Sequence, residues 1–242
     1  MQAVRQTLKE KRPRYLHLAT HGFFEPPDRV ERLLRGLAAR PDGPALWREQ
    51  TTTLASLPLL RSGLALAGAN RQAETDDPRA PAGVLTGQDV EGLDLRGCEV
   101  AVLSACQTAL GDAKRSQGVL GLQRSFHAAG VKTMVTSLWN VHDAATLELM
   151  DEFYRRLWGK EKPSRLEALR QAQLAILRDP GRVRRRTAAL LADARRRGVP
   201  EEALRGPGRL ALDLPDGGKI QAAPKRSPEA WWAAFVLSGD WR

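Results

Sequence analysis

A short apolar run that ends at a cysteine constrains the fold of this chain more than any other feature. Val100 to Leu103 are apolar and include β-branched residues, which predicts a buried strand of a parallel sheet. The run is followed by the small residues Ser104, Ala105 and Cys106, and then by loop-forming residues. The Cys106 thiol is therefore expected just beyond the carboxyl end of a strand, where open α/β sheets bind their ligands.

A second apolar run places a histidine in an equivalent position. Tyr15 to Thr20 (YLHLAT) predicts another buried strand, and the pattern breaks at His21-Gly22. If the two strands are parallel neighbours, His21 and Cys106 meet at the same edge of the sheet. That arrangement is the one a Cys–His nucleophile pair requires.

Strand-like and helix-like patterns alternate along most of the chain, which favours an α/β fold with a mostly parallel sheet flanked by helices. Thr86 and Asp89 have the spacing of a capping box, which predicts a short helix after Thr86. A small hairpin is expected around Asp216-Gly217. Helices are predicted over residues 1–12, 29–40, 118–129, 143–158, 163–177 and 184–197, and strands over residues 62–68, 131–138 and 231–239.

The positive charge of the chain is concentrated in one segment. The 242 residues carry a net charge of +10, and residues 181–226 hold 12 Lys and Arg against 5 Asp and Glu. Three interpretations stay open for this segment: nucleic-acid binding, an arginine-rich processing loop, or a solvated helical surface, which we favour because aromatic residues are sparse there. Nucleic-acid binding would use phosphate contacts from Arg184, Arg185, Arg186, Arg195, Arg196 and Arg197.

The two cysteines are not expected to form a disulfide. If the residues between Cys98 and Cys106 form a strand, their Cα atoms lie about 25 Å apart at ~3.3 Å per residue, whereas a disulfide requires Cα atoms within about 7 Å. Free thiols fit a reducing compartment. Because the two cysteines and four histidines lack paired spacing, we expect neither a zinc site nor another cofactor.

The sequence also predicts a cytoplasmic location without a membrane partner. No apolar run approaches the ~18 residues that span a bilayer. Residues 1–15 carry basic side chains but lack the apolar stretch of a secretory signal.

Five segments together resemble the CHAT domain, a family of caspase-like and separase-like cysteine peptidases that is often attached to TPR repeats. The resemblance covers most of residues 14–178 and 231–241. The segments are HLATHGFF (17–24), GVLTGQDVEGLDL (83–95), VLSACQTALGD (102–112), GVLGLQRSFHAAGVKTMVTSLWNVHDAAT (118–146) and WAAFVLSGDW (232–241).

The resemblance implies a caspase-like three-layer α/β/α fold and assigns roles to three residues. Cys106 would be the nucleophile, His21 the base, and the backbone N–H groups of Gly22 and Cys106 would bind the oxyanion. We interpret residues 1–242 as a single CHAT peptidase domain, with 181–226 as a basic insertion. Since family members carry further strands before the histidine-bearing strand, the chain is expected to lack the N-terminal part of the usual domain.

Other candidate residues have weaker claims. His142 also follows a predicted strand and is the rival base, whereas His17 lies inside its strand and is expected to be a hydrogen-bonded core or supporting residue. Cys98 precedes the central strand and is expected to be structural. Asp143 is a candidate for substrate binding, since acidic pockets in several relatives bind a basic residue before the scissile bond, but we favour Asp143 as a helix N-cap.

These observations favour a cysteine endopeptidase that cleaves protein substrates through a Cys106–His21 dyad. The resemblance also implies TPR or sensor domains as partners, either upstream or in trans. Two alternatives stay open: an inactive caspase-like protein-interaction module, and a nucleic-acid-binding module that uses residues 181–226. Lipase or esterase chemistry is disfavoured because the chain has no GxSxG motif.

Overall fold

The computed structural model describes residues 2–24, 28, 31, 58–69, 83–105, 113–139, 141–200 and 226–242. Helices and strands alternate along most of this part of the chain, as predicted. The helices are α1 (Gln2–Lys11), α2 (Pro58–Arg61), α3 (Gly87–Glu91), α4 (Ala113–Ala128), α5 (Asp143–Leu157), α6 (Arg165–Arg178), α7 (Pro180–Arg196) and α8 (Glu229–Trp232). The strands are β1 (Tyr15–Phe24), β2 (Ser62–Ala65), β3 (Val84–Thr86), β4 (Val100–Ala105), β5 (Thr133–Ser137) and β6 (Phe235–Gly239).

The strands form one mixed, open sheet in the order β3-β2-β1-β4-β5-β6. β1, β4 and β5 pair in parallel, whereas β2 pairs antiparallel with both β1 and β3. The α/β fold class with a mostly parallel central sheet is therefore confirmed.

The two halves of β1 pair with different strands, and His21 lies where the two halves meet. Its first half pairs in parallel with β4, from Tyr15 opposite Val100 to Thr20 opposite Ala105. The prediction that the strand breaks at His21 is wrong, because β1 continues for residues 21–24 as an antiparallel partner of β2. His21 is thus the residue at which β1 exchanges one partner strand for the other.

The chain divides into two compact units, which we describe separately. The first comprises the described residues of Met1–Asn140 together with Ser238–Asp240. Its main apolar cluster lies on one face of the sheet, where Leu16 and Leu18 of β1 and Ala101 and Leu103 of β4 pack with residues of the helices. Val100 and Val102 of β4 are buried on the other face. Because side chains alternate along a strand, the other face of β1 carries Tyr15, His17, Ala19 and His21.

The second unit comprises the described residues of Val141–Leu237 and Trp241–Arg242. It contains α5, α6, α7 and α8 and the first residues of β6. Its buried apolar side chains include Leu149 and Phe153 of α5 and Leu169 and Ile176 of α6. These residues recur at helical spacing, so each helix turns one apolar side inward.

Several element boundaries differ from the predictions for local reasons. Trp231 and Trp232 belong to the one-turn helix α8 rather than to the last strand. The Trp231 N–H donates a hydrogen bond to the Pro228 carbonyl oxygen at 3.0 Å, and the Ala233 N–H to the Glu229 carbonyl oxygen at 2.9 Å. α7 begins at Pro180, four residues before the predicted start, since the Asp179 side chain accepts a hydrogen bond from the Gly181 N–H at 2.9 Å.

Other predictions were confirmed or were displaced by a few residues. The capping box is confirmed, because the Asp89 N–H donates to the Thr86 hydroxyl and the Thr86 N–H to the Asp89 carboxylate. Gly130 has a φ of +107°, as a glycine after a helix requires. α4 begins at Ala113 rather than near Gly118. The predicted helix over 29–40 and the hairpin at 216–217 lie outside the residues that support a description.

Candidate functional site

His21 is exposed on the sheet face that lies opposite the main apolar cluster of the first unit. It pairs with Ala65 of β2, while its predecessor Thr20 is the last residue of β1 that pairs with β4. The Thr20 hydroxyl also donates a hydrogen bond to the Ala65 carbonyl oxygen. The backbone that carries His21 is therefore held from both sides, by β4 just before it and by β2 at the residue itself.

The antiparallel half of β1 brings Gly22 and Phe23 beside His21. Gly22, the candidate oxyanion residue, pairs with Leu64, and Phe23 pairs with Gly63. A Cβ atom at position 63 would lie 2.6 Å from Phe23 Cζ, so the ring of Phe23 lies directly over Gly63. Phe23 is partly exposed and shares its sheet face with His21, two residues earlier.

Cys106 immediately follows the end of β4 in the chain, but Cys106 and Asp112 lie outside the described residues. The last residue of β4, Ala105, is the partner of Thr20 in the parallel ladder. The strands before His21 and Cys106 are therefore parallel neighbours, which is the condition on which the predicted meeting of the two residues depends. Ser104, opposite Ala19, has a buried hydroxyl oxygen that makes no hydrogen bond within the described part of the chain.

His17 lies on the same face of β1 as His21, because side chains alternate along the strand, and it is not a core residue. The residue is exposed overall, yet partial desolvation of its ring lowers the pKa of His17 below its ordinary value. A lowered pKa keeps the ring neutral near pH 7. His17 pairs with Val102 and not with a residue at the end of β4. It therefore lies four residues before His21, about 13 Å along the strand at ~3.3 Å per residue.

Cys98 is a structural thiol, as predicted. It is free and completely buried, and its Sγ lies 3.5 Å from the Val100 carbonyl oxygen as a hydrogen-bond donor. Burial raises the pKa of the Cys98 thiol to about 11. Because the thiolate is the reactive form, Cys98 is chemically inert at neutral pH.

We expect Cys98 to resist alkylation in the folded protein. Native protein treated with iodoacetamide at pH 8 should carry no label on Cys98, whereas denatured protein should be labelled at both cysteines, as peptide mass spectrometry can measure. A Cys106→Ala variant is the matched control, and it should take up no label while folded. Labelling of Cys98 at similar rates in folded and denatured protein would contradict its assignment as a buried thiol.

His142, the rival base, has a structural role at the start of α5. Its Nδ1 accepts a hydrogen bond from the Ala145 N–H at 3.4 Å, and its ring centroid lies 6.0 Å from that of Trp231. His142 is therefore the N-cap, and the expectation that Asp143 fills this position is wrong. Asp143 is instead the first residue of the helix and is exposed.

His127 makes two hydrogen bonds that tie the end of β6 to α4. Its Nδ1 lies 2.8 Å from the Val131 carbonyl oxygen, so Nδ1 carries the proton and donates it. Its Nε2 then accepts a hydrogen bond from the Ser238 hydroxyl at 3.0 Å. Both ring nitrogens are therefore hydrogen-bonded within the first unit, which leaves neither for chemistry.

Part of the basic segment has a structural function inside the second unit. Arg182 and Arg186 of α7 form ion pairs with Glu148 of α5, at 3.3 and 2.9 Å. Arg182 also pairs with Glu152 at 3.2 Å, and Arg186 with Asp151. Arg186 is thus committed to α5, which weakens the nucleic-acid interpretation in which it contacts phosphates.

The described residues show neither a metal site nor a helix that could span a membrane. No group of three or more His, Cys, Asp and Glu side chains within the described ranges is arranged to hold a metal ion. None of the described helices combines the length and apolarity that a membrane span requires.

Comparison with known proteins gives one match. Residues 1–240 match the family model described as the CHAT domain. Searches of curated proteins and of solved structures gave no match.

Proposed function

The chain belongs to the CHAT domain family, whose members are related to caspase-like peptidases, and we propose that it is a cysteine endopeptidase with Cys106 as nucleophile and His21 as base. The observation that carries the proposal is the parallel register in which Thr20 lies opposite Ala105. His21 and Cys106 are the next residue on each strand. Neighbouring strands lie about 4.8 Å apart, so a ladder continued by one position would bring the two residues side by side.

The alternation of side chains supports the same pairing. His21 shares a sheet face with Ala19, and Ala19 lies opposite Ser104. Cys106 is two residues after Ser104, so continued alternation would direct its thiol to the face that exposes His21. The positions of the other three histidines also favour His21. His142 caps α5, both nitrogens of His127 are hydrogen-bonded, and His17 lies opposite Val102, four residues before His21.

The proposed mechanism has two steps. His21 takes the Cys106 proton, and the thiolate attacks the peptide carbonyl carbon, with backbone N–H groups of Gly22 and Cys106 stabilising the oxyanion. The C–N bond then breaks, and the imidazolium of His21 gives its proton to the leaving amine. In the second step His21 removes a proton from water, whose oxygen attacks the thioester and releases the carboxylic acid and the free thiol.

Three finer assignments stay predictions. Asp143 is exposed in the first turn of α5 and is proposed to bind a basic residue of the substrate. An Asp143→Asn variant that loses its preference for Arg or Lys before the scissile bond would support this assignment. A cytoplasmic location is likewise a proposal, which follows from the absence of a secretory signal in the sequence. TPR or sensor partners are a proposal that follows from the family resemblance.

A peptide library tests the function directly. Wild-type protein is expected to cleave a library that varies the residue before the scissile bond, and Cys106→Ala should remove all cleavage. Cys98→Ala is the matched control and should retain full activity, because Cys98 is buried away from solvent. No cleavage by wild type, with Cys106 unreactive toward electrophilic peptides, would favour the inactive interaction module. Salt-sensitive nucleic-acid binding that survives Cys106→Ala would favour a nucleic-acid-binding module that uses residues 181–226.

A further inference from the structure

Phe23 occupies a place on the sheet that no step of the proposed mechanism uses. It lies two residues after His21, on the same face of β1, and remains partly exposed. Its ring extends over β2, because Phe23 Cζ lies 2.6 Å from the position that a Cβ on Gly63 would occupy. The ring therefore extends away from β4, the strand that leads to Cys106.

Small residues on β2 make this placement feasible. Gly63 has no side chain under the ring, and a Cβ there would also meet the Leu85 carbonyl oxygen at 2.9 Å. The residue opposite His21 on β2 is Ala65, whose side chain is a single methyl group. The side chains of His21 and Phe23 thus lie beside two residues, Gly63 and Ala65, that project little or nothing from the sheet.

The neighbouring Phe24 has a structural role, because its ring packs against a buried residue. Phe24 points to the opposite face of β1, where the Arg61 guanidinium lies 4.2 Å from its ring centroid. Arg61 is 8% exposed, so Phe24 is packed by a buried partner. Phe23 has a different position, on the face of the candidate site.

The chemistry of the leaving group identifies what Phe23 would meet. In the proposed mechanism the acyl carbon binds Cys106 on the β4 side, and the leaving amine receives its proton from His21. The residue that follows the scissile bond therefore continues on the far side of His21 from β4, which is the side occupied by β2 and Phe23.

We propose that Phe23, seated over Gly63, forms the apolar subsite for the side chain that follows the scissile bond. The proposal rests on the proposed peptidase function. It predicts that the enzyme prefers large apolar side chains at this position over glycine, since an aromatic ring contacts carbon surface without offering a hydrogen bond.

The test compares two substrates that differ only in the residue after the scissile bond, Leu or Gly. Wild type should have a higher kcat/KM for the Leu substrate, and Phe23→Ala should reduce the Leu-to-Gly ratio by about tenfold, the low end of discrimination by an apolar pocket. Phe23→Leu should retain most of the ratio. Phe24→Ala is the matched control and should leave the ratio unchanged, even if it lowers stability.

The ratio separates specificity from folding, because both substrates meet the same folded fraction of enzyme. Wild type that cleaves neither substrate would overturn the peptidase function itself. Active wild type with the same Leu-to-Gly ratio in Phe23→Ala would overturn the subsite and leave the peptidase function intact. A ratio that falls equally in Phe24→Ala would also overturn it, because the effect would then come from the strand and not from the exposed ring.

Discussion

Replacing His21 with alanine is expected to lower kcat/KM for peptide cleavage by about a thousandfold or more, because general acid–base catalysis by a positioned side chain contributes about 10²–10⁴-fold. Without His21, no group at the end of β1 takes the thiol proton or protonates the leaving amine. The fold should persist, since the side chain is exposed and the backbone is held by pairing with Ala65 and by the Thr20 hydroxyl. Steady-state kinetics measures the loss of kcat/KM, and circular dichroism shows whether the variant is folded.

His142→Ala is the matched comparison. It removes the N-cap of α5, so we expect a loss of about 1 kcal/mol of unfolding free energy and a change in kcat/KM of less than about tenfold. His142→Asn retains a capping side chain and should behave almost as wild type. If His21→Ala remained active while His142→Ala lost activity, the base would be His142 and the assignment from the β1–β4 register would be wrong.

The largest effect on stability is expected from Glu152 of α5. Its side chain is 2% exposed and binds three guanidinium groups: Arg155, Arg156 at 2.7 Å and Arg182 at 3.2 Å. Removing one partner of a buried ion pair costs roughly 3–5 kcal/mol. The arginine side chains are 65%, 30% and 27% exposed and regain water when Glu152 is lost, so we expect about 2–3 kcal/mol for Glu152→Ala, measured by urea unfolding.

Asp193→Ala is the control for this prediction. Asp193 also binds two arginines, Arg196 and Arg197, but it is 42% exposed, and surface pairs contribute about 0–1 kcal/mol. If Glu152→Ala and Asp193→Ala lost the same unfolding free energy, burial of the Glu152 carboxylate would not account for its contribution to stability.

The contribution of Glu152 to the free energy of unfolding should also depend on pH. Desolvation raises its pKa, but the hydrogen bonds from Arg155 and Arg156 and the charge of Arg182 outweigh this, so the pKa of Glu152 lies below the ordinary value of 4.5. The unfolded state therefore binds the proton more readily. The difference in unfolding free energy between wild type and Glu152→Gln should be full at pH 6–7 and shrink as the pH falls below about 4.5.

The sequence predicted the features that depend on local pattern. The strands before His21 and Cys106, their parallel pairing and the Thr86–Asp89 capping box were all predictable, because periodicity and capping spacing are properties of short segments. The structural role of Cys98 followed from its place just before a buried strand.

Features that depend on distant residues were missed. The extension of β1 beyond His21 depends on β2, where Gly63 admits the ring of Phe23. The choice of His142 over Asp143 as N-cap accompanies its contact with Trp231, almost 90 residues further along the chain. Glu152 lies on the buried side of α5 because an arginine of α7 reaches it. No local pattern contains these pairings.

The central claim is that His21 activates Cys106, and the pH dependence of Cys106 alkylation tests it most directly without knowledge of the substrate. The rate of labelling by iodoacetamide, followed by peptide mass spectrometry, should rise with a midpoint well below the ordinary thiol pKa of about 8.5 in wild type. In His21→Ala the midpoint should return to about 8.5, while in His142→Ala it should match wild type. Identical profiles in wild type and His21→Ala would contradict the dyad.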